Sequence, residues 1–221
     1  MQNIVCKYRT RGNAIFITLL LFMVLSGCNT EKKENKVSDA VISHRATVPN
    51  TVTIYRYGTF PKAKAEKLQE GLKPYFRKVV LKEECLPLPS TYYNKERNRY
   101  LASGLFGEIS KRQYGDAVIG VTDYVIFKPN NISKTFGIMG LSPVGTYKCV
   151  VSSVMPKNSK TLTDDIFLKL VLHELGHAYG LPHCPNQQCY MVDAEHKMKF
   201  HQTVGFCDNC KKKLQSKGWR L

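Results

Sequence analysis

The chain has 221 residues, 43% of them hydrophobic and 23% charged, which is the composition of a globular protein of one or two domains and excludes a disordered or fibrous chain. With 33 Lys and Arg against 17 Asp and Glu, the formal net charge is +16, a balance that by itself invites a nucleic-acid reading. The N-terminal segment argues against nucleic acid as a partner, because it carries an export signal.

Lys7, Arg9 and Arg11 form a basic stretch without acids, and an apolar run from Ala14 to Leu25 follows. That is the layout of a secretory signal peptide over residues 1–27, and the run is shorter than the ~20 apolar residues a membrane-spanning helix needs. It ends in Leu25-Ser26-Gly27-Cys28, which looks like a bacterial lipobox with cleavage before Cys28 and acylation of its thiol. The expectation is an exported protein tethered to a bacterial membrane, at the periplasm or cell surface, through a lipid anchor and not a transmembrane helix. Residues 28–48 begin with the lipidated cysteine and continue as a polar chain of mixed charge. Such a segment cannot bury enough apolar surface to fold and reads as a flexible linker.

The folded domain is expected over residues 49–221. Thr51-Val52-Thr53-Ile54-Tyr55 alternates as a strand does, and Gly58 and Pro61 end it. Lys62 to Tyr75 reads as an amphipathic helix and Arg77 to Leu81 as a second strand, parallel to the first through a right-handed crossover. Pro87-Leu88-Pro89-Ser90 marks a loop. Lys95 to Phe106 then carries Tyr100, Leu101 and Leu105 at helical spacing, with Arg97 and Arg99 on a solvated face. Asp116 to Thr122 is a continuous apolar run suited to a central strand, and Phe136 to Leu141 and Tyr147 to Val154 supply two more.

A helix is expected from Thr161 or Thr163, either of which can cap it, with Asp164 and Asp165 well placed against the positive end of its dipole. From Ile166 to Tyr179 it is apolar almost all round and therefore buried. It carries His173-Glu174-Leu175-Gly176-His177-Ala178-Tyr179-Gly180-Leu181-Pro182-His183. On a helix His173 and His177 lie about 40° apart and ~6 Å along the axis, so both rings can converge on one ion. Glu174 is rotated by about 100° and suits proton transfer to and from water, not ligation. His183 can join them only if the chain turns first. Gly180 permits that turn and Pro182 stops the helix from resuming.

Cys184 and Cys189 follow directly, then Met191, and later Cys207-Asp208-Asn209-Cys210. The extended histidine motif running straight into this cysteine set resembles the archaemetzincins, zinc metallopeptidases of the metzincin clan. The resemblance covers Val171 to Cys210, with a shorter spacing between Met191 and Cys207 than is usual in that family. It implies that His173, His177 and His183 bind a catalytic zinc and that Glu174 is the base. Met191 would be the methionine of the Met-turn beneath the metal, and Cys184, Cys189, Cys207 and Cys210 would hold a structural zinc. It also implies an α/β fold: a compact metzincin-like domain with a mixed, mostly parallel twisted sheet, an antiparallel edge strand with which substrate pairs, a backing helix, an active-site helix and a zinc-stapled C-terminal part over 184–221. In an exported protein two disulfides are the rival for the four cysteines.

The expected activity is hydrolysis of peptide bonds, endo- or aminopeptidase, with two Zn2+ per chain, a peptide or protein as partner and a monomeric chain. The alternative is a non-catalytic zinc-binding surface lipoprotein that captures peptides or adheres, and Glu174 argues against it, since a capture module has no need of a base. Tyr179 and Tyr190 are candidates for assisting the oxyanion. Cys6 leaves with the signal. Cys85 and Cys149 either pair or are small buried hydrophobes. His44, His196 and His201 have no ligand role.

Overall fold

The computed structural model describes residues 50–112, 115–131, 133–193 and 200–221. The expected signal peptide, Cys28 and the linker lie outside the described residues, as does His196. No helix among the described residues is long and apolar enough to cross a membrane.

Strand β1 (Thr51–Tyr57) is the second strand of the main sheet and is buried along almost its whole length. It lies parallel between β2 (Lys78–Leu86) and β5 (Ala117–Thr122), and β5 continues parallel into β9 (Lys148–Ser152). The outermost strand, β8 (Gly140–Leu141), runs antiparallel to β9, completing the order β2-β1-β5-β9-β8. The sheet is therefore mixed and mostly parallel with an antiparallel edge. Strand β2 runs on to Leu86, well past the expected end at Leu81, because it is an edge strand and its Lys82-Glu83-Glu84 stretch can face water.

Side-chain alternation splits the core in two. Val52, Ile54, Ile119, Val121, Cys149 and Val151 point to the face covered by α1 (Lys62–Leu72) and α3 (Asp164–Ala178). Tyr55, Tyr57, Val118 and Val150 point to the face covered by α2 (Ala102–Ser110). The period of two along each strand thus builds a three-layer α/β/α stack. Helix α1 meets the sheet through Ala65, Leu68 and Leu72, one stripe at helical spacing. Cys149 is a free, fully buried thiol, so no Cys85–Cys149 bridge forms and the buried-hydrophobe reading holds for Cys149.

A second, small sheet departs from expectation. In place of a helix from Lys95, a tight turn joins β3 (Tyr93–Asn94) to β4 (Arg99–Leu101), and α2 begins only at Ala102. The Asn94 side chain accepts the Arg97 N–H at 2.9 Å and Asn98 adopts φ 47°, a left-handed conformation no α-helix contains. Strand β4 pairs parallel with β6 (Ile126–Lys128), which pairs antiparallel with β7 (Phe136–Ile138). The single strand expected from Phe136 to Leu141 is accordingly two. Its first half belongs to this small sheet and its second half, β8, to the main one, with Met139 between.

Candidate active site

Helix α3 begins as expected at Thr163, whose side chain accepts the Ile166 N–H at 3.4 Å, with Asp164 and Asp165 in the first turn. Its last turn closes in a Schellman motif: the Leu181 N–H reaches Gly176 O at 2.9 Å and the Gly180 N–H reaches His177 O at 2.8 Å. Gly180 sits at φ 98°, and with open space around it the backbone angle, not crowding, is what requires glycine. Pro182 follows and the chain folds back. That reversal brings His183 to His173 and His177, and the ligand nitrogens of the three lie within 4.8 Å of one another.

Each imidazole is held by its far side. His173 Nδ1 lies 2.7 Å from the Tyr190 carbonyl and His177 Nδ1 lies 2.7 Å from the Leu181 carbonyl. A carbonyl only accepts, so both Nδ1 atoms carry the proton and both Nε2 atoms keep a lone pair. Those two Nε2 atoms are 3.1 Å apart. Two lone pairs facing each other at that distance repel unless a cation lies between them. Ligands at ~2.05 Å in tetrahedral array around zinc would stand ~3.3 Å apart, so the donor set fits zinc. His183 Nδ1 lies 3.4 Å from an Asp193 carboxylate oxygen, which orients the third ring. In the metal-free protein burial, and then the like charge of His177, lower His173 to about 3, and burial lowers His177 as well. Neutral imidazoles are the form that ligates.

Glu174 is buried beside them, turned toward β8 and away from the ring cluster. A Cβ on Gly140 would lie 2.2 Å from Glu174 Oε1, so the carboxylate rests directly on the backbone of the edge strand. Burial pushes Glu174 up to about 8, with the charge of Lys128 pulling the other way. A carboxyl so shifted is matched to taking and returning a proton near neutral pH. It lies on the wall of a cleft of ≈ 740 Å³ whose lining also includes His173, His183, Phe136, Ile138 and Phe200.

Met191 is fully buried and packs against α3 at Gly176, where a Cβ would lie 2.3 Å from its Sδ. The helix can rest on the methionine only because residue 176, between the two histidines, lacks a side chain. The Cys184, Cys189, Cys207 and Cys210 thiols are free and their sulfurs also lie within 4.8 Å of one another. Cys184 Sγ and Cys207 Sγ are 3.7 Å apart, far beyond a disulfide bond and close to the ~3.8 Å edge of a zinc–thiolate tetrahedron. Cys189 Sγ accepts the N–H groups of Met191 and Cys207, both at 3.4 Å. Cys207 caps α4 (Asp208–Gln215), whose N-terminal end favours thiolate charge. Burial raises Cys207, but hydrogen bonds from Cys210, Cys184 and Cys189 outweigh it and its pKa falls. Burial drives Cys210 upward. Such a set does not ionise together without a cation in its midst, and its donors too fit zinc.

The two tyrosine candidates do not line the cleft. Tyr179 is buried among Phe76, Tyr147 and Trp219, and the Tyr190 phenol interacts with Tyr75. Tyr190 serves through its carbonyl instead. Gly140, Gly176 and Asp193 went unnoticed in the sequence, and only Gly176 left a local signal there, by lying between the histidines.

Residues 65–216 match the profile of peptidase family M54. The archaemetzincin of Methanopyrus kandleri is 29% identical over 160 residues, covering 68% of this chain and 85% of that protein. The archaemetzincin of Sulfolobus acidocaldarius is 32% identical over 153 residues, covering 62% and 80%. The crystal structure of the Methanopyrus kandleri archaemetzincin superposes with a TM-score of 0.63 at 25% identity, covering 76% of this chain and 94% of that one. An Archaeoglobus fulgidus archaemetzincin complexed with malonate, 22% identical, shares the fold with a TM-score of 0.60 over 74% of this chain and 99% of that one. The chain belongs to peptidase family M54 and is a zinc metallopeptidase.

Proposed function

We propose that Glu174 is the general base of peptide-bond hydrolysis, with one zinc held by His173, His177 and His183 and a second, structural zinc held by Cys184, Cys189, Cys207 and Cys210. The observation that carries this reading is the separation of roles in space. Three imidazole nitrogens converge, while the neighbouring carboxylate points to the edge strand where a substrate would lie. Zinc, when bound, polarises the scissile carbonyl and lowers the pKa of a water. The substrate backbone adds to the outer edge of β8 as a further strand, which sets the scissile carbonyl beside Glu174. Glu174 takes the proton of the attacking water and returns it to the leaving amine as the C–N bond breaks. The buried histidines, fixed through their Nδ1 protons, keep the first coordination shell from reorganising.

The test separates proton transfer from ligation. Glu174→Gln should lose about 10²–10⁴-fold in kcat while retaining zinc, since the amide keeps size and loses basicity. His183→Ala should lose zinc affinity as well. A Glu174→Gln protein with full zinc and near wild-type peptidase activity would refute the assignment. Peptide binding without cleavage by the wild type would favour the capture module instead.

We further propose that the mature protein begins at Cys28, carries acyl chains there and is membrane-associated. The lipobox-like Leu25-Ser26-Gly27-Cys28 supports this. Intact-mass analysis of the membrane fraction should show a chain starting at Cys28 with added lipid mass, and a soluble product without that mass would contradict it.

A further inference from the structure

Arg99 was expected on a solvated helix face, yet it stands on the wall of the catalytic cleft. From β4 its guanidinium crosses the small sheet, donating from Nη1 to Thr135 O at 2.9 Å and from Nε to Arg97 O at 3.2 Å. These two carbonyls fix the plane of the fork, and Nη2 has no hydrogen-bond partner among the described residues. The crossing depends on Gly137, where a Cβ would lie 3.1 Å from Arg99 Nη1 and 2.5 Å from Pro156 Cβ. The guanidinium and the turn carrying Lys157 therefore close on one spot of the wall, and both residues line the cleft.

The balance of charge there is one-sided. Among the described residues lining the cleft, Glu174 is the sole carboxylate, and it faces β8. Neither Arg99 nor Lys157 forms a salt bridge with any described residue. Elsewhere lysines and arginines close pairs readily, as Arg112 does with Glu84 at 3.1 Å and Lys67 with Asp164 at 2.7 Å. A partly buried guanidinium held in one orientation, with Nη2 left open to the cleft, is ready to receive an anion through charge-assisted hydrogen bonds. Burial, and then the like charge of Arg97, already hold its pKa below the ordinary arginine value. The rest of the wall and floor, Phe136, Ile138, Met155, Leu170 and Phe200, is apolar.

We propose that Arg99, assisted by Lys157, is a specificity-determining residue that receives a carboxylate of the peptide substrate, so that the enzyme selects peptides presenting an anionic group beside apolar residues. This rests on the peptidase reading above. A planar fork whose Nη2 amino group is free matches a carboxylate, and the ammonium of Lys157 adds a second, flexible charge. The carboxylate can come from an Asp or Glu side chain or from the C-terminus of the peptide.

The experiment uses the full, zinc-loaded chain and paired peptides that differ only in Glu against Gln at one position, or in a free against an amidated C-terminus. The ratio of kcat/KM within each pair is the readout, and the pair that shows a preference identifies the source of the carboxylate. Wild type should favour one anionic member by roughly tenfold, the order expected of a partly exposed charge-assisted contact. Arg99→Gln should bring that ratio to within about twofold of unity, and Lys157→Gln should lower it part-way. Lys157 lies on an exposed turn, so its variant decides the matter if Arg99→Gln fails to fold. Equal treatment of both members by wild type, or a preference that survives Arg99→Gln, overturns the proposal. If no peptide is cleaved at all, the peptidase reading is what fails. The affinity ratio of the same pairs for the Glu174→Gln chain then tests the carboxylate site on its own.

Discussion

Glu174 is placed by what its neighbour lacks. Its carboxylate occupies the volume a side chain at Gly140 would need, with Oε1, Cδ and Cγ lying 2.2, 2.3 and 2.6 Å from a Cβ there. Ordinary contact needs more than 3.4 Å, so even a methyl group must push the carboxylate or the β8 backbone by about an ångström. Either shift would separate the proposed base from the substrate's carbonyl, and a misplacement of that size costs about 10²-fold in rate. Gly140→Ala should therefore lower kcat/KM by about two orders of magnitude while leaving zinc content at the wild-type level, since no histidine is touched. Steady-state kinetics with metal analysis on the same preparation checks this. Wild-type activity in that variant would mean that Glu174 does not work from the position described.

At the scale of elements, what was legible in the sequence is what is local. Helix α3 announces itself within its own residues. Thr163 caps it, Asp164 and Asp165 follow, the apolar run is continuous, and His173 and His177 share a face by spacing alone. The reversal at Gly180 and Pro182 is equally local, so the arrival of His183 could be read in advance. The central strands β5 and β9 are visible because they are buried on both faces and read as apolar runs, and β1 is visible because Val52 and Ile54 alternate with threonines. The small sheet was not visible. Its strands have two or three residues each, too few for a period of two to emerge, and pairing between distant segments stabilises them instead of propensity. Arg99 was misplaced for the same reason: Tyr100, Leu101 and Leu105 happen to match helical spacing, and the turn at Asn98 that breaks it depends on an Asn94 side chain several residues earlier. Gly140 was hidden because what it makes room for comes from another element. The split of residues 136–141 into β7 and β8 is what carries the wall of the cleft from one sheet to the other.

For the whole molecule, the question is what keeps the C-terminal part on the domain. Phe200, Phe206, Cys210, Leu214 and Trp219 join the same core as α3, and Trp219 meets Phe76, Tyr179 and Phe206 at ring separations of 4.4, 5.3 and 5.6 Å. Between the two cysteine pairs lie Tyr190, whose carbonyl fixes His173, and Met191, on which the helix rests. The cysteine cluster therefore holds the underside of the histidine cluster in place. A structural zinc contributes about 10–16 kcal/mol in small zinc-stabilised peptides, comparable with the whole stability of ~5–15 kcal/mol typical of a domain. Replacing one thiolate should accordingly do more than loosen a loop. Cys207→Ser is expected to lower the unfolding midpoint by several degrees and to weaken zinc binding at the histidines too, because Tyr190 and Met191 lose their support. Wild type should contain about two zinc ions per chain, and all four thiols should become available to an alkylating reagent after denaturation with chelator and without reductant. One zinc per chain, with these thiols unreactive until a reductant is added, would show that they pair as disulfides. The sulfur separation of 3.7 Å between Cys184 and Cys207 would then have to collapse to about 2.05 Å. That closure would draw in the segment that carries Tyr190 and Met191, so the two outcomes should also differ in the affinity of the histidine site for its metal.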